Sequence, residues 1–428
     1  MTQPRRTDDP DQLGAWLEQL LRPGDHVVWS QGASTPTPLV EQLTRVRAAA
    51  TGGAVFLSVG VGGTIDPAVV DHLRVTGLGA LGSTRRLADA GVLEVVPSHL
   101  SQVPDLLRSR ALRADVVFVQ VAPEMDGSHS LGLDAGYLAA AIEQARLVVA
   151  EVGARVPQTR GHQRLATDRI DLVLETDRQL PELALPPPTD AERRIAALAV
   201  ELVPDRATVQ FGIGSAPAAL TESLRGASGL TLHTGLLDDA QFSLITSGAA
   251  SGTTHPISPD HAVTTTLAGT RNLYDRATDA GVLVRELEHT HALATLAQLP
   301  RFTAINTAVE VDLTGQVNAE AVGTRLVGGL GGLGDFVRGT AIAPGGRSLF
   351  LLPATAGAEE HPRIVPHLGS RSVTVPRSDV DVVVTEHGVA ELRGATLNQR
   401  ARRLTAIAAP QHRDALERWW ASSADAVR

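Results

Sequence analysis

The sequence contains no cysteine. Disulfides, thiolate nucleophiles and cysteine-based metal sites are therefore excluded. It also contains no lysine, so its 38 Lys+Arg residues are all arginine. That removes a Schiff-base lysine and a Walker-type lysine. Anionic ligands must be met by arginine, histidine or backbone N–H groups. Aromatic residues make up only 3% of the chain, too few to argue for an aromatic-lined pocket. No stretch approaches about 18 uninterrupted apolar residues, so no membrane span is expected. Met1 to Pro10 is polar and charged and lacks the apolar segment of a signal peptide. A cytoplasmic location is the expectation.

What is present is an ordinary globular composition, 43% hydrophobic and 20% charged. The net charge is −9 and no basic patch stands out, which argues against a nucleic-acid partner. At roughly 100–200 residues per domain, 428 residues suggest two domains. Short β-branched runs such as Ala54–Val59, Val92–Val96, Asp115–Val121, Leu147–Val152 and Ile170–Leu174 alternate with helical patterns such as Leu39–Ala49 and Leu138–Ala145. This alternation predicts βαβ units and a largely parallel sheet.

Prolines crowd the stretch from Leu180 to Thr189, which is the best linker candidate. The predicted organisation is a domain over 1–180, a linker over 181–189 and a second domain over 190–428. After the linker a helix from Asp190, a strand at Thr208–Phe211 and a helix from about Ala216 repeat the opening order of the first half. Two related α/β domains would produce that likeness, and so would any α/β chain.

Four segments carry chemistry. Phe211-Gly-Ile-Gly-Ser-Ala-Pro217 joins a strand to a helix. Gly212 and Gly214 allow a tight turn, and the helix N-terminus behind them offers free N–H groups. A ligand cradle and a plain strand-to-helix turn both fit. From Gly328 to Gly334, five of seven residues are glycine. Such a loop is costly to order, which suggests that something lies against its backbone. It contains a Gly329-x-Gly331-x-x-Gly334 spacing, but Asp335-Phe-Val-Arg-Gly339 does not read as the helix a dinucleotide fingerprint needs. Backbone N–H groups aimed at a phosphate or thioester oxygen fit better. Ala304–Asn318 alternates apolar and polar residues and reads as a β-hairpin. Glu386 and His387 stand side by side in a segment that also reads as a turn.

Taken together, these strings resemble a known family. AINTAVEVDLTGQVNAE (304–320), GGLGGLGDFVRG (328–339), VTEHGVAELRG (384–394) and QRARRLTAIAAP (399–410) look like the C-terminal half of the acetyl-CoA hydrolase/CoA-transferase family. PGDHVV (23–28), DVVFVQVAPEMDGSHSLG (115–132) and VQFGIGSAP (209–217) match its earlier segments. The resemblance spans about Gly24 to His412. It includes the 4-hydroxybutyrate, butyryl and succinyl-CoA:acetate CoA-transferases.

The resemblance implies two related open α/β domains with the active site between them, and often a homodimer or larger homo-oligomer. It implies no permanently bound cofactor, with coenzyme A or an acyl-CoA as substrate and a carboxylic acid as possible acceptor. It implies ping-pong chemistry through a glutamate that forms an acyl anhydride and then a glutamyl-CoA thioester. It places the coenzyme A contacts at Gly212, Ile213, Gly214, Ser215 and Ala216, with Gly328, Gly331 and Gly334 in the second loop. The oxyanion glycine falls at Gly332.

The sequence departs from this pattern at the nucleophile. Where the family has a segment like His-Thr-Glu-Met, this chain has His233-Thr-Gly235-Leu. Glycine cannot form an anhydride, so that route is closed. A second departure is Gly357, where the family often has a lysine; Arg347 or Arg363 could supply the charge, although arginine is not a simple substitute. Three outcomes remain open. Another carboxylate, with Asp238, Asp239 and Glu288 as candidates, could act as a general base and make a thioesterase. The protein could bind an acyl-CoA without transforming it, as a sensor or partner subunit. Or the lost side chain could leave room for a bulkier group. His233 lies two residues before Gly235 and fits either the site or the core.

Overall fold

The computed structural model describes residues 3–57, 72–161, 164–252 and 255–427. Eight strands of the first half form one parallel sheet: β1 (Arg5–Thr7), β2 (His26–Trp29), β3 (Gly53–Leu57), β4 (Leu73–Gly77), β5 (Leu93–Val95), β6 (Val116–Val121), β7 (Leu147–Gly153) and β8 (Leu172–Thr176). Their spatial order is β1-β8-β7-β6-β2-β3-β4-β5. The central β6 and β7 are buried along their whole length, which is why they read as Val-rich runs.

The second half builds a six-stranded sheet from β9 (Thr208–Phe211), β10 (Thr231–Leu232), β11 (Thr303–Thr307), β12 (Arg347–Leu351), β13 (Val382–Thr385) and β14 (Gly388–Glu391). The order is β10-β9-β11-β12-β13-β14, parallel except for the final hairpin pair. No helix or strand occupies 177–189, and helix α1 (Asp190–Ala199) begins directly after the prolines. Thr189 caps it, accepting from Glu192 N–H while Glu192 accepts from Thr189 N–H.

Several predicted elements shift. Ala54–Val59 is found as Gly53–Leu57, with Ser58 and Val59 outside the described residues. Ala304–Thr307 is not part of a hairpin. It lies inside the parallel sheet as β11, and the hairpin is formed only by Glu310–Asp312 and Val317–Asn318. Alternation looked the same for both because a half-buried strand and a sheet strand share a period of two.

The larger correction concerns the glycine-rich loop, which does lead into a helix, Leu333–Ile342. Burial of Phe336, Val337, Gly339 and Thr340 compensates for its poor helix formers. The dinucleotide fingerprint still lacks its context, because the pair preceding the loop is a two-residue hairpin arm, Arg325–Leu326, and not a sheet strand.

The halves meet through backbone. Gly79 bridges Gly329, and Ala80 N–H donates to Gly328 O at 2.8 Å. An added Cβ on Gly329 would lie 2.5 Å from Leu78 O. Asp134 bridges Thr266 in the same way. Asp335, on the first turn of the helix after the loop, accepts from Ser101 Oγ at 2.6 Å and Ser101 N–H at 3.1 Å. No helix among the described residues is long and apolar enough to cross a membrane.

Candidate active site

A cavity of about 160 Å³ opens where these contacts converge. Its walls come from both halves: Gln31 and Leu100 from the first, Gly235, Thr265, His291 and Gly332 from the second. Leu81, Ile213, Asn306 and Gly332 line both this cavity and a groove of about 550 Å³. The groove runs past Gly212–Ala216 and Gly328–Gly329, with Arg85 and Arg363 on its sides.

Gly235 follows β10, and its carbonyl accepts from Thr265 N–H at 3.3 Å and Thr266 N–H at 3.1 Å. An added Cβ would lie 3.0 Å from His291 Nε2 and 3.3 Å from Phe336 Cε2. An imidazole and a phenyl ring therefore crowd one side of Gly235, which still lines the cavity. Gly332 is tighter still, since a Cβ there would lie 2.4 Å from His291 Nε2. Gly332 precedes the helix Leu333–Ile342, and among the described residues no acceptor meets its N–H. That free donor at a helix N-terminus suits a developing oxyanion.

The other loop glycines answer to packing. Gly334 lies against His99, with an added Cβ 2.3 Å from its ring. Gly328 and Gly329 approach the backbones of Ala319 and Leu78. Gly331 has open space but takes φ +50, a conformation glycine adopts without penalty. In the first turn Gly212 admits Asn306, whose amide pairs with Gln210 at 3.0 Å. Gly214 takes φ +147 ahead of the helix Ser215–Ser223. Ser215 Oγ donates to Glu192, and Ile213 and Ala216 face the groove.

Among the described residues His291 is the one titratable group on the cavity wall, and sequence reasoning did not single it out. It is 1% exposed, and burial pushes its pKa down to about 3. Nε2 has no partner among the described residues. Nδ1 lies 2.7 Å from Thr290 Oγ1, which also meets Thr265 Oγ1 at 2.5 Å and Glu286 O at 3.2 Å. The assignment that satisfies all three contacts has Thr290 donating to Glu286 O and accepting from Thr265 and from His291 Nδ1–H. Nε2 then carries a free lone pair. The ring packs on Phe336 with centroids 4.5 Å apart, which fixes its plane.

His233 does not reach the cavity. It is fully buried and its Nε2 lies 2.9 Å from Thr290 O. Its Nδ1 lies 3.1 Å from His255 Nε2. His255 Nδ1 accepts from Ile257 and Ser258 N–H, so its Nε2 must be the donor. His233 Nδ1 therefore accepts and its Nε2 donates to Thr290 O. The chain from His255 through His233 fixes the residue preceding His291. Among the described residues no cluster of His, Asp or Glu could hold a metal ion.

The three candidate carboxylates are elsewhere. Asp238 caps the helix Asp239–Thr246, accepting from Gln241 N–H at 2.9 Å. Asp239 accepts from Thr270 N–H and Oγ1, both at 2.7 Å. Glu288 pairs with Arg108 at 2.7 Å. Among the described residues no Asp or Glu lines the cavity. Asp134, pushed up to about 6 by burial, lies behind the wall and is bonded to Gln31 and Thr266. Arg363 faces the groove with its Nε unpartnered, whereas Arg347 pairs with Glu391. Glu386 accepts from Ala354 N–H at 2.8 Å and holds a turn.

Known proteins share this arrangement of chain. The description acetyl-CoA hydrolase/transferase N-terminal domain matches residues 16–181, and the corresponding C-terminal domain matches 269–419. The chain is 33% identical over 395 residues to the 4-hydroxybutyrate coenzyme A transferase of Clostridium kluyveri, covering 91% of this chain and 92% of that protein. It is 30% identical over 415 residues to the butyryl-CoA:acetate CoA-transferase of Anaerostipes caccae, covering 93% of each. The crystal structure of 4-hydroxybutyrate CoA-transferase from Porphyromonas gingivalis matches with a TM-score of 0.78 at 30% identity, covering 97% and 96% of the two chains. That of RipA from Yersinia pestis matches at 0.90 and 25% identity, covering 98% and 97%.

Proposed function

The chain belongs to the acetyl-CoA hydrolase/transferase family, and from that membership we propose that it acts on the thioester of a short-chain acyl-CoA without a glutamyl-CoA intermediate. The observation that carries this reading is the continuity of the Gly235–Gly332 cavity with the arginine-flanked groove. The groove suits the anionic, extended part of coenzyme A, with Arg85 and Arg363 beside the free N–H groups of the Ile213–Gly214 turn. The cavity suits the acyl end. At about 160 Å³ it matches the roughly 150 Å³ that holds a benzene-sized molecule, so an acyl group of up to about six carbons fits. Leu81, Leu100, Phe211, Leu236 and Phe336 give it apolar walls. The relatives' names, with 4-hydroxybutyrate and butyryl-CoA, point to the same size of acid.

Gly235 stands at the family's nucleophile position and offers no carboxylate. The thioester carbonyl would lie against Gly332 N–H, with the reacting carbon open to a group other than glutamate. Calorimetric titration with acetyl-CoA and butyryl-CoA, together with thiol release measured with and without added acetate, tests the reading. Binding with turnover supports it. Binding of both esters without any thiol release or exchange would make the protein a coenzyme A ester binder instead.

A further inference from the structure

We propose that His291 Nε2 is the general base that delivers water to the thioester carbonyl, making the chain a hydrolase; this rests on the acyl-CoA reading of the site. Four independent features converge on that atom. First, it is buried on the cavity wall without a partner, and leaving a buried polar atom unpaired costs about 1–3 kcal/mol. Second, both glycines of the site make space for it. Any side chain at Gly332 would overlap Nε2, and one at Gly235 would press on it. Third, the ring is pre-aimed by Thr290 at Nδ1 and by Phe336 on its face. Fourth, among the described residues no carboxylate lines the cavity to compete for the role.

The step balances with water as the only co-reactant. A small turn of the ring exposes Nε2, which is closed over in the resting structure, and a water bound between it and the carbonyl carbon attacks that carbon and gives one proton to Nε2. The carbonyl π electrons move onto oxygen, which Gly332 N–H stabilises. The oxyanion then collapses, the C–S bond breaks, and the departing thiolate takes the proton from Nε2. The products are the free acid and coenzyme A. One water takes roughly 30 Å³ of the cavity, which leaves room for a short acyl group beside it. Burial keeps the imidazole neutral before attack, so its lone pair is available at any working pH. The negative charge that forms on the carbonyl oxygen favours the imidazolium only as the reaction proceeds.

The test uses the full chain and two variants, His291→Asn and His291→Gln. Asparagine keeps a polar partner for Thr290 and lacks Nε2; glutamine reaches Nε2 with an amide that is not a base. Thiol release from acetyl-CoA and butyryl-CoA is measured without any acceptor acid, and binding of the same esters by calorimetry. The expected result is hydrolysis by the wild type, with kcat lowered about 100-fold or more in both variants while Kd stays within roughly threefold. Retention of more than a third of wild-type kcat in either variant would overturn the proposal. So would wild-type binding with exchange only when an acid is added, a result that leaves the acyl-CoA reading standing. Failure of the wild type to bind either ester would overturn both.

Discussion

His291 Nε2 lies 3.0 Å from the place where a Cβ on Gly235 would be. The two positions are coupled: a side chain at 235 and an imidazole at 291 compete for the same space. A glutamate placed at 235 alone should therefore not produce transferase chemistry. Gly235→Glu is expected to destabilise the fold by about 1–3 kcal/mol through overpacking. Adding His291→Ala should recover at least half of that loss, measured by denaturant unfolding. Exchange between butyryl-CoA and acetate should be detectable only in the double variant.

Gly332 makes a sharper demand. Gly332→Ala puts a Cβ 2.4 Å from His291 Nε2 and 3.0 Å from Phe336 Cε2, which forces the imidazole off its line. Turnover is expected to fall by about 100-fold or more, since an oxyanion donor and a base are displaced together. Single-turnover thiol release at saturating butyryl-CoA checks this.

His233 is expected to act as a positioning residue. Its Nε2–H donates to Thr290 O, the residue that anchors His291. His233→Gln can still reach that carbonyl, whereas His233→Asn cannot. The Asn variant should lose about tenfold or more in kcat with KM little changed, and the Gln variant should recover most of it. Equal losses in both would mean that His233 serves packing alone.

The groove arginines should govern affinity and not chemistry. Arg363→Gln and Arg85→Gln are each expected to weaken acetyl-CoA binding by roughly tenfold at low salt, less at high salt. An N-acetylcysteamine thioester, which lacks the nucleotide, should bind wild type and variants alike. Calorimetry with both compounds separates these outcomes.

Stability should fall as the medium is acidified below about pH 6.5. Burial pushes His291 down to about 3 and His255 down to about 4, and holds His233 well below its ordinary value. Between those values and about 6.5 the unfolded chain binds protons that the fold excludes, so stability rises with pH across that window. Asp134, pushed up to about 6, opposes part of this between about pH 4 and 6, because there the fold holds a proton the unfolded chain releases. His291→Asn should lower the slope by about one proton between pH 4 and 6, read from denaturant midpoints at several pH values.

The parallel α/β architecture was legible because β6 and β7 are mostly apolar, with Gln120 and Glu151 as exceptions, as strands covered on both faces tend to be. Thr208–Phe211 and the Gly-Ile-Gly turn could be placed for the same reason. The helix after Gly332 was hidden, since burial of Phe336 and Val337 and not helix propensity holds it. Asp238 and Asp239 carried the right charge but are consumed by a cap and by Thr270, which spacing alone does not reveal. His291 left only a faint trace, a second histidine two residues after His289. Its meaning depends on chain distant in sequence: Gly235, Gly332 and Phe336 all meet it in space.

The proposal that no protein carboxylate attacks the thioester makes one measurement decisive. A single turnover of butyryl-CoA in ¹⁸O-water, followed by mass spectrometry of the released acid and of the digested protein, reports which group attacked the thioester. Direct attack by water predicts one ¹⁸O in the butyrate and none in any protein carboxylate. Label in an Asp or Glu of the protein, or a glutamyl-CoA adduct trapped during turnover, would contradict it.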